Sequence, residues 1–433
     1  MSSYNLNREV VFVEGKRTPF LRSQTQFKDF SAYDLGRLAV QGLITKTIPD
    51  LNHIDHLYFG NVIQDINTSN VAREITLGAG LPESLPATSV SMACISSSVA
   101  ITSAYNAIIS GQIDCAIAGG VEMMSDIPIR LRKPLRQKLL QAQKYRNIFD
   151  WFGFLRGLSP SDFLPEIPSI SEFSTGETMG QSCDKMVGKY GILRKDQDAF
   201  ALKSHQKADE AMEKGYLEHE IIPVTINEGK NFMTFDNGIR EDTTLKKLHS
   251  LPPAFTKPHG SLTAGNSTFL TDGASAGLLM EKRFARNFDY SPKATIRSFN
   301  YTAQKPGDEL LIGPAFAIPA VLDSMNLKLD DIDVFEFHEA FAGQVLTVLK
   351  ALESAEFARE RLNRTLPIGK IPEDKINRWG GSLSIGHPFA ATGMRLLTTA
   401  ANRLIHADGR YALIAACAAG GQGHAMIIER YKG

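Results

Sequence analysis

The chain repeats itself. In its first third a helical stretch leads into Ile54-Asp55-His56-Leu57-Tyr58-Phe59. In its last third another leads into Ile332-Asp333-Val334-Phe335-Glu336-Phe337. Downstream, Cys94 opens a small-residue helical run, Ile95 to Ser110, that feeds the strand-like Asp114 to Gly120. His387 opens Pro388 to Ile405, which feeds Tyr411 to Ala416. A strand–helix–strand unit used twice predicts layered α/β sheets with parallel strands and helices between them. It also predicts that Cys94 and His387 sit at equivalent helix starts and meet at the junction of the halves.

Between the repeats the texture changes. Residues 127–275 read as an inserted loop domain between an N-terminal half, 1–126, and a C-terminal half, 276–433. Arg130 to Arg146 holds seven Lys or Arg and no acid, and Phe149, Trp151, Phe152 and Phe154 follow. Leu135, Leu139, Ala142 and Phe149 fall on one helical face, so 130–156 reads as a basic amphipathic segment. Elsewhere, Val10 to Val13 predicts a strand, Gly15 to Phe20 a polar turn, Tyr33 to Ile48 a helix, and Lys185 to Lys214 helical structure.

Charge narrows the function. The 47 basic residues balance 47 acidic ones, which argues against a protein devoted to nucleic acid. Cys94, Cys115, Cys183 and Cys417 are far apart with no CxxC pair, so neither a disulfide framework nor a zinc ribbon is expected. No apolar run reaches the roughly 20 residues that span a bilayer. The N-terminus shows no presequence pattern, so the chain reads as cytosolic or mature.

Four side chains carry chemistry. Cys94 precedes a helix, whose free N–H groups stabilise a thiolate or an oxyanion. His387 lies among Gly380, Gly381, Gly386 and Gly393, a density that suggests backbone close to a ligand. His338 ends an apolar strand in FEFHEAF, and no HExxH or cysteine partner supports a metal there. Cys417 ends another strand before Gly420, Gly421 and Gly423. Taken singly, the cysteines read as core residues and the histidines as caps or satisfied polar groups. Taken together, one thiol can attack, a second can move a proton, and two imidazoles can polarise a carbonyl. That set points to acyl transfer through a thioester.

With these residues in place the chain resembles the thiolases. The matching motifs are MACISSS around Cys94, GSLTAGNSTFLTDGA from Gly260, FEFHEAF around His338, GGSLSIGHPFAATG around His387, and CAAGGQGHA from Cys417. They stand in the family's order and span nearly the whole chain. The resemblance implies the thiolase fold: two similar βαβαβαββ halves in a layered α/β/α/β/α core with an inserted loop domain. It implies Cys94 as the acylated nucleophile, His387 as its base and one arm of an oxyanion hole, and Cys417 as the acid/base for the enolate and for coenzyme A. His338 replaces the asparagine of many thiolases beside the thioester oxygen, as in the trifunctional β-oxidation subgroup. The backbone N–H groups of Cys94 and Ala419 would form a second oxyanion hole, although many relatives carry glycine at the place of Ala419. Ala264, Gly265, Asn266 and Thr268 would line the pantetheine channel.

The activity implied is thiolytic cleavage of a 3-ketoacyl-CoA to acetyl-CoA and a shortened acyl-CoA. Coenzyme A is a substrate, and no cofactor or metal is expected. Alternatives are acetoacetyl-CoA synthesis, condensation on a carrier protein, or non-catalytic lipid handling. The same resemblance implies a homodimeric or homotetrameric core, a hydratase/dehydrogenase α subunit as partner, and peripheral membrane contact through 130–156. The compartment would be the cytoplasm for a bacterial chain, or the mitochondrial matrix and inner-membrane surface for a processed eukaryotic one.

Overall fold

Alternating short apolar runs and helical stretches fold here into one continuous sheet whose two halves, each acting as a sheet, share a layer of helices. A computed structural model describes residues 8–433 except 49, 167–170, 228 and 308. The principal strands are β1 (Val10–Arg17), β2 (His56–Gly60), β3 (Ala87–Val90), β4 (Cys115–Glu122) and β5 (Thr271–Glu281) in the first half. The second half contributes β6 (Ala294–Ala303), β7 (Val334–Phe337), β8 (Tyr411–Ala418) and β9 (Gln422–Arg430). Their spatial order is β7-β8-β9-β6-β1-β5-β4-β2-β3. The halves join where Val11 pairs with Thr295 and Phe12 with Ala294.

The repeat is visible in this order. β2 lies parallel to β4 as β7 lies parallel to β8. β5 and β9 then run antiparallel to β4 and β8. Each half therefore mixes parallel and antiparallel pairing. The turn from β8 to β9 uses Gly420 and Gly421 at φ of 82° and 71°, a conformation that favours glycine. The first half has β3 beside β2, whereas the second has, among the described residues, a single parallel bridge, Phe335 to Ile376, beside β7.

The helices Ser96–Ile109 and Thr392–His406 form the middle layer. Ile101, Ala104, Leu397 and Ala400 bury there against Phe12, Ala116 and Leu279 of one sheet and Val334, Ala412 and Ile414 of the other. Small residues let the two helix starts meet. A Cβ on Gly393 would stand 2.4 Å from Ser98 Oγ, and Ser97 Oγ accepts a hydrogen bond from the Met394 N–H at 3.0 Å. Outer layers complete the sandwich. Leu35, Ala39 and Leu43 of Ala32–Thr47 cover one sheet, and Ile318, Val321, Val345 and Val348 cover the other. Truncating such a buried Leu or Ile to Ala costs about 2–5 kcal/mol.

Local expectations changed where distant partners act. The turn expected at Gly15 to Phe20 is strand as far as Arg17, because the buried Arg17 guanidinium meets Asp236 at 2.7 Å and Glu220 at 3.6 Å. Lys185 to Lys214 is two helices, Met179–Lys189 and Arg194–Glu213, separated at Gly191 with φ of 60°. β5 crosses the expected boundary at 275/276 as one continuous strand. We therefore propose that the inserted segment returns to the first half before Thr271. No helix among the described residues is long and apolar enough to cross a membrane.

Candidate active site

The nucleophile candidate sits on a strained turn. After β3 the chain places Ala93 at φ of 47°, a left-handed conformation that costs a non-glycine residue on the order of 1–3 kcal/mol. Ser96 pins that turn. Its Oγ accepts from the Met92 N–H at 2.8 Å and donates to the Ala93 carbonyl at 2.7 Å. Cys94 is thereby lifted clear of the helix, partly exposed, while Ser96, Ser97 and Ser98 are buried.

His387 arrives from the other half. Gly386, at φ of 113°, turns the chain into it, and the His387 N–H donates to Thr271 Oγ1 at 3.0 Å. The sequence predicts that the helix begins at Pro388. Instead a 3-10 turn, Phe389–Ala391, intervenes, and the α-helix starts at Thr392. Pro388 retains an extended backbone with ψ of 108°, which delays the start. The Thr392 hydroxyl donates to the Pro388 carbonyl at 3.2 Å, and its oxygen lies 2.6 Å from His387 Nδ1. Thr392 therefore accepts from Nδ1–H, and Nε2 keeps its lone pair. That buried nitrogen has no partner among the described residues, as a base awaiting a proton would be.

His338 follows β7, with its N–H donating to the Ala415 carbonyl at 2.8 Å. Its Nδ1 lies 2.9 Å from Ser382 Oγ, and its buried Nε2 has no partner among the described residues. The His338 and His387 rings stand 3.9 Å apart between centroids. Cys94 Sγ and one ring nitrogen of each histidine all lie within 4.8 Å of one another. The three side chains come from three motifs scattered over about 300 residues. Their donor set could also hold a soft divalent cation.

Burial governs the electrostatics. It pushes the Cys94 thiol up to about 12, opposed by the backbone N–H groups of Ala419 and of Cys94 itself at the sulfur. Burial lowers His387 to about 3, with Arg395 adding to the effect, and it drives His338 well below the usual histidine range. Both imidazoles are neutral, and the resting thiol keeps its proton. Cys417, at the end of β8, is buried, and burial and the neighbouring Cys94 raise its thiol well above the ordinary range. The Ala419 backbone thus reaches Cys94 despite having no glycine there. The turn behind it is held by the Gly420 N–H donating to Glu172 at 2.7 Å.

The loop around Ala264 to Thr268 lies along the same rim. Its Thr268 N–H donates to the Ala340 carbonyl at 3.1 Å, the Ala342 N–H donates to the Asn266 carbonyl at 3.0 Å, and Leu270 bridges His387. Ala264 is exposed and Thr268 partly so, whereas Gly265 and Asn266 are buried. The Asn266 side chain is occupied within the fold, donating to Asp198 at 2.9 Å and accepting from the Thr263 N–H at 2.7 Å. Asn266 therefore shapes the loop and leaves Thr268 to present a hydroxyl.

The sequence reading passed over several residues. Thr392 and Ser382 lie within or beside quoted motifs, but a lone hydroxyl carries no pattern. Glu122 is buried behind Cys94, where its carboxylate accepts from the Ile63 N–H at 2.9 Å and the Ala390 N–H at 3.2 Å. Burial pushes it up to about 8 against those N–H groups. It ties the turn after His387 to the first half.

A five-layer α/β fold with a thiol at a helix start, two neutral imidazoles and a second buried thiol at its centre defines the class of acyltransferases. Comparison with known proteins makes this specific. Residues 10–283 match the family model "Thiolase, N-terminal domain" and residues 290–430 match "Thiolase, C-terminal domain". The chain is 49% identical over 424 residues to the mitochondrial trifunctional enzyme subunit beta of Bos taurus, covering 98% of this chain and 89% of that one. It is 42% identical to a 3-ketoacyl-CoA thiolase of Yersinia pestis, covering 97% and 96%. The structure of human mitochondrial 3-ketoacyl-CoA thiolase in complex with CoA superposes with a TM-score of 0.83 at 29% identity, over 100% of both chains. The chain belongs to the thiolase family.

Proposed function

We propose that the protein is a 3-ketoacyl-CoA thiolase of fatty-acid β-oxidation and that Cys94 carries the acyl group. The observation that carries this reading is the convergence of Cys94, His338 and His387 within 4.8 Å at the junction of the two halves. His387 Nε2 takes the thiol proton as Cys94 Sγ attacks the 3-keto carbon. The N–H groups of Cys94 and Ala419 hold the tetrahedral oxyanion. The C2–C3 bond breaks, and the acetyl-CoA enolate leaves, its thioester oxygen held by His338 and His387. Cys417 protonates the enolate carbon. It then takes the proton of incoming coenzyme A, whose sulfur attacks the acyl-Cys94 thioester, expels the Cys94 sulfur, which regains its proton from His387, and releases the shortened acyl-CoA. Ala264, Gly265, Asn266 and Thr268 form the rim along which the pantetheine arm enters.

Incubation with a 3-ketoacyl-CoA and coenzyme A should yield acetyl-CoA. Full activity in a Cys94→Ala enzyme would sink the assignment. A series of 3-ketoacyl-CoAs of increasing length separates degradative use from acetoacetyl-CoA synthesis, which would show activity only with the shortest substrate.

The inserted segment supports a second part of the proposal. Its helices, Lys133–Ala142 and Ile148–Phe152, leave Leu140, Ile148, Phe149, Trp151, Phe152 and Leu155 more than half exposed among Lys and Arg. We assign this face to an anionic membrane surface and to a hydratase/dehydrogenase α subunit. The core would be a homodimer or homotetramer. The compartment follows the source: cytoplasm for a bacterial chain, mitochondrial matrix and inner-membrane surface for a eukaryotic one. Loss of liposome binding or of a co-purifying partner on deleting residues 130–154 tests the surface, and an unchanged result in both removes it.

A further inference from the structure

Two residues before His338 on β7 lies Glu336, on the same face of the strand because side chains alternate. Both are buried, as is Arg395 on the middle-layer helix. Arg395 Nη1 faces Glu336 at 3.4 Å, and Arg403 pairs with the other carboxylate oxygen. Arg395 Nη2 then donates to Ser382 Oγ at 3.0 Å, and the same Oγ lies 2.9 Å from His338 Nδ1. These are the hydroxyl's only two partners among the described residues.

The donor inventory decides the direction. A guanidinium can only donate, so it takes one lone pair of Ser382. Ser382 is fully buried, so its own proton needs an acceptor, and His338 Nδ1 is the one within reach. Nδ1 is therefore unprotonated, and the proton of the neutral ring sits on Nε2, the buried atom that has no protein partner. His387 has the reverse arrangement, because Thr392 spends its proton on Pro388 and accepts from Nδ1.

We propose that Ser382, oriented by Arg395 and through it by Glu336, is a positioning residue that fixes His338 as an Nε2–H donor into the reaction site. The two imidazoles are thereby set in opposite tautomers: one lone pair for the Cys94 proton, one N–H for the thioester oxygen as it gains enolate charge. With Nε2 protonated, His338 offers no lone pair to a cation, which separates an acyl-transfer site from a three-ligand metal site. The proposal rests on the thiolase reading for its kinetic consequence and on hydrogen bonding alone for the tautomer.

The test combines histidine-labelled nitrogen NMR with kinetics. The His338 resonance, identified by its loss in a His338→Asn protein, should show the Nε2–H tautomer in the wild type. Ser382→Ala should shift it toward Nδ1–H and lower kcat about 100-fold, the scale of losing one oxyanion donor, with KM little changed. Iodoacetamide labelling of Cys94 should persist, and Ser382→Thr, which restores a hydroxyl, should recover most of kcat. An Nδ1–H tautomer in the wild type overturns the proposal, as does a Ser382→Ala enzyme that keeps wild-type kcat. If Ser382→Ala does not fold, the wild-type spectrum alone decides. A wild type without thiolysis but with Nε2–H would refute the functional reading and leave the tautomer assignment standing.

Discussion

The two halves use one frame for opposite tasks. In the first, the helix Ser96–Ile109 starts two residues after Cys94, and a left-handed Ala93 thrusts the thiol into the junction. In the second, a 3-10 turn separates His387 from the helix Thr392–His406, and that turn brings the Thr392 hydroxyl back onto the imidazole. The first half supplies the Cys94 thiol, the proposed nucleophile. The second supplies both imidazoles and Cys417. Duplication built a symmetric scaffold, and small departures at two helix starts made its two ends chemically complementary.

The largest test of that division is to silence each half in turn. Cys94→Ala should lower thiolysis by at least about 10⁴-fold and prevent labelling of the protein by 3-ketoacyl-CoA, read by intact-protein mass spectrometry. If acylation persisted at another residue, the first half would not hold the nucleophile. Cys417→Ala should lower steady-state turnover by roughly 10³-fold, yet leave Cys94 open to iodoacetamide, since proton transfer fails while the nucleophile survives. Equal loss of labelling would show that the two thiols are not separable.

Thr392→Val keeps the shape of the helix start and removes the acceptor of His387 Nδ1–H. Turnover should fall about 10- to 100-fold, with a Tm shift of only a few degrees. An unchanged rate would mean that the second half positions its base without the delayed helix. Acidity gives a finer reading. With Cys94 pushed up to about 12 and His387 lowered to about 3, both are neutral between those values. The folded thiol rises above its ordinary value, so the thiolate fraction keeps growing with pH. Iodoacetamide inactivation of the free enzyme should accelerate from pH about 6 to about 10, and a plateau near neutrality would instead reveal a preformed thiolate–imidazolium pair. The smallest effect belongs outside the duplicated frame. Deleting residues 130–154 should leave thiolysis of a short soluble substrate within about twofold, because none of their side chains lies among the site residues described above. A large loss would make the insertion part of the catalytic frame.

Much of this was legible in residue order. The repeat shows in periodicity, the four candidate side chains in glycine density and motif order, and the Ala264 to Thr268 loop only through the resemblance to the thiolases. Other features were hidden. β5 reads as a glycine-containing run of small residues, and only pairing with β1 and β4 makes it a strand. Arg17 looks like part of a polar turn until Glu220 and Asp236, some 200 residues away, neutralise it inside the core.

By itself the sequence determined the duplicated α/β frame and its family and offered the candidate reacting groups, because these depend on local pattern and on residue type. The tertiary structure alone decided which nitrogen of each histidine carries the proton. That choice rests on Ser382, Arg395 and Glu336 around one ring and on Thr392 and the Pro388 carbonyl around the other. Hydroxyl and guanidinium groups can satisfy one another in many ways along a chain. Burial, which makes a hydroxyl proton without an acceptor costly, leaves one consistent arrangement for Ser382 and Thr392, and it exists only after the halves have packed.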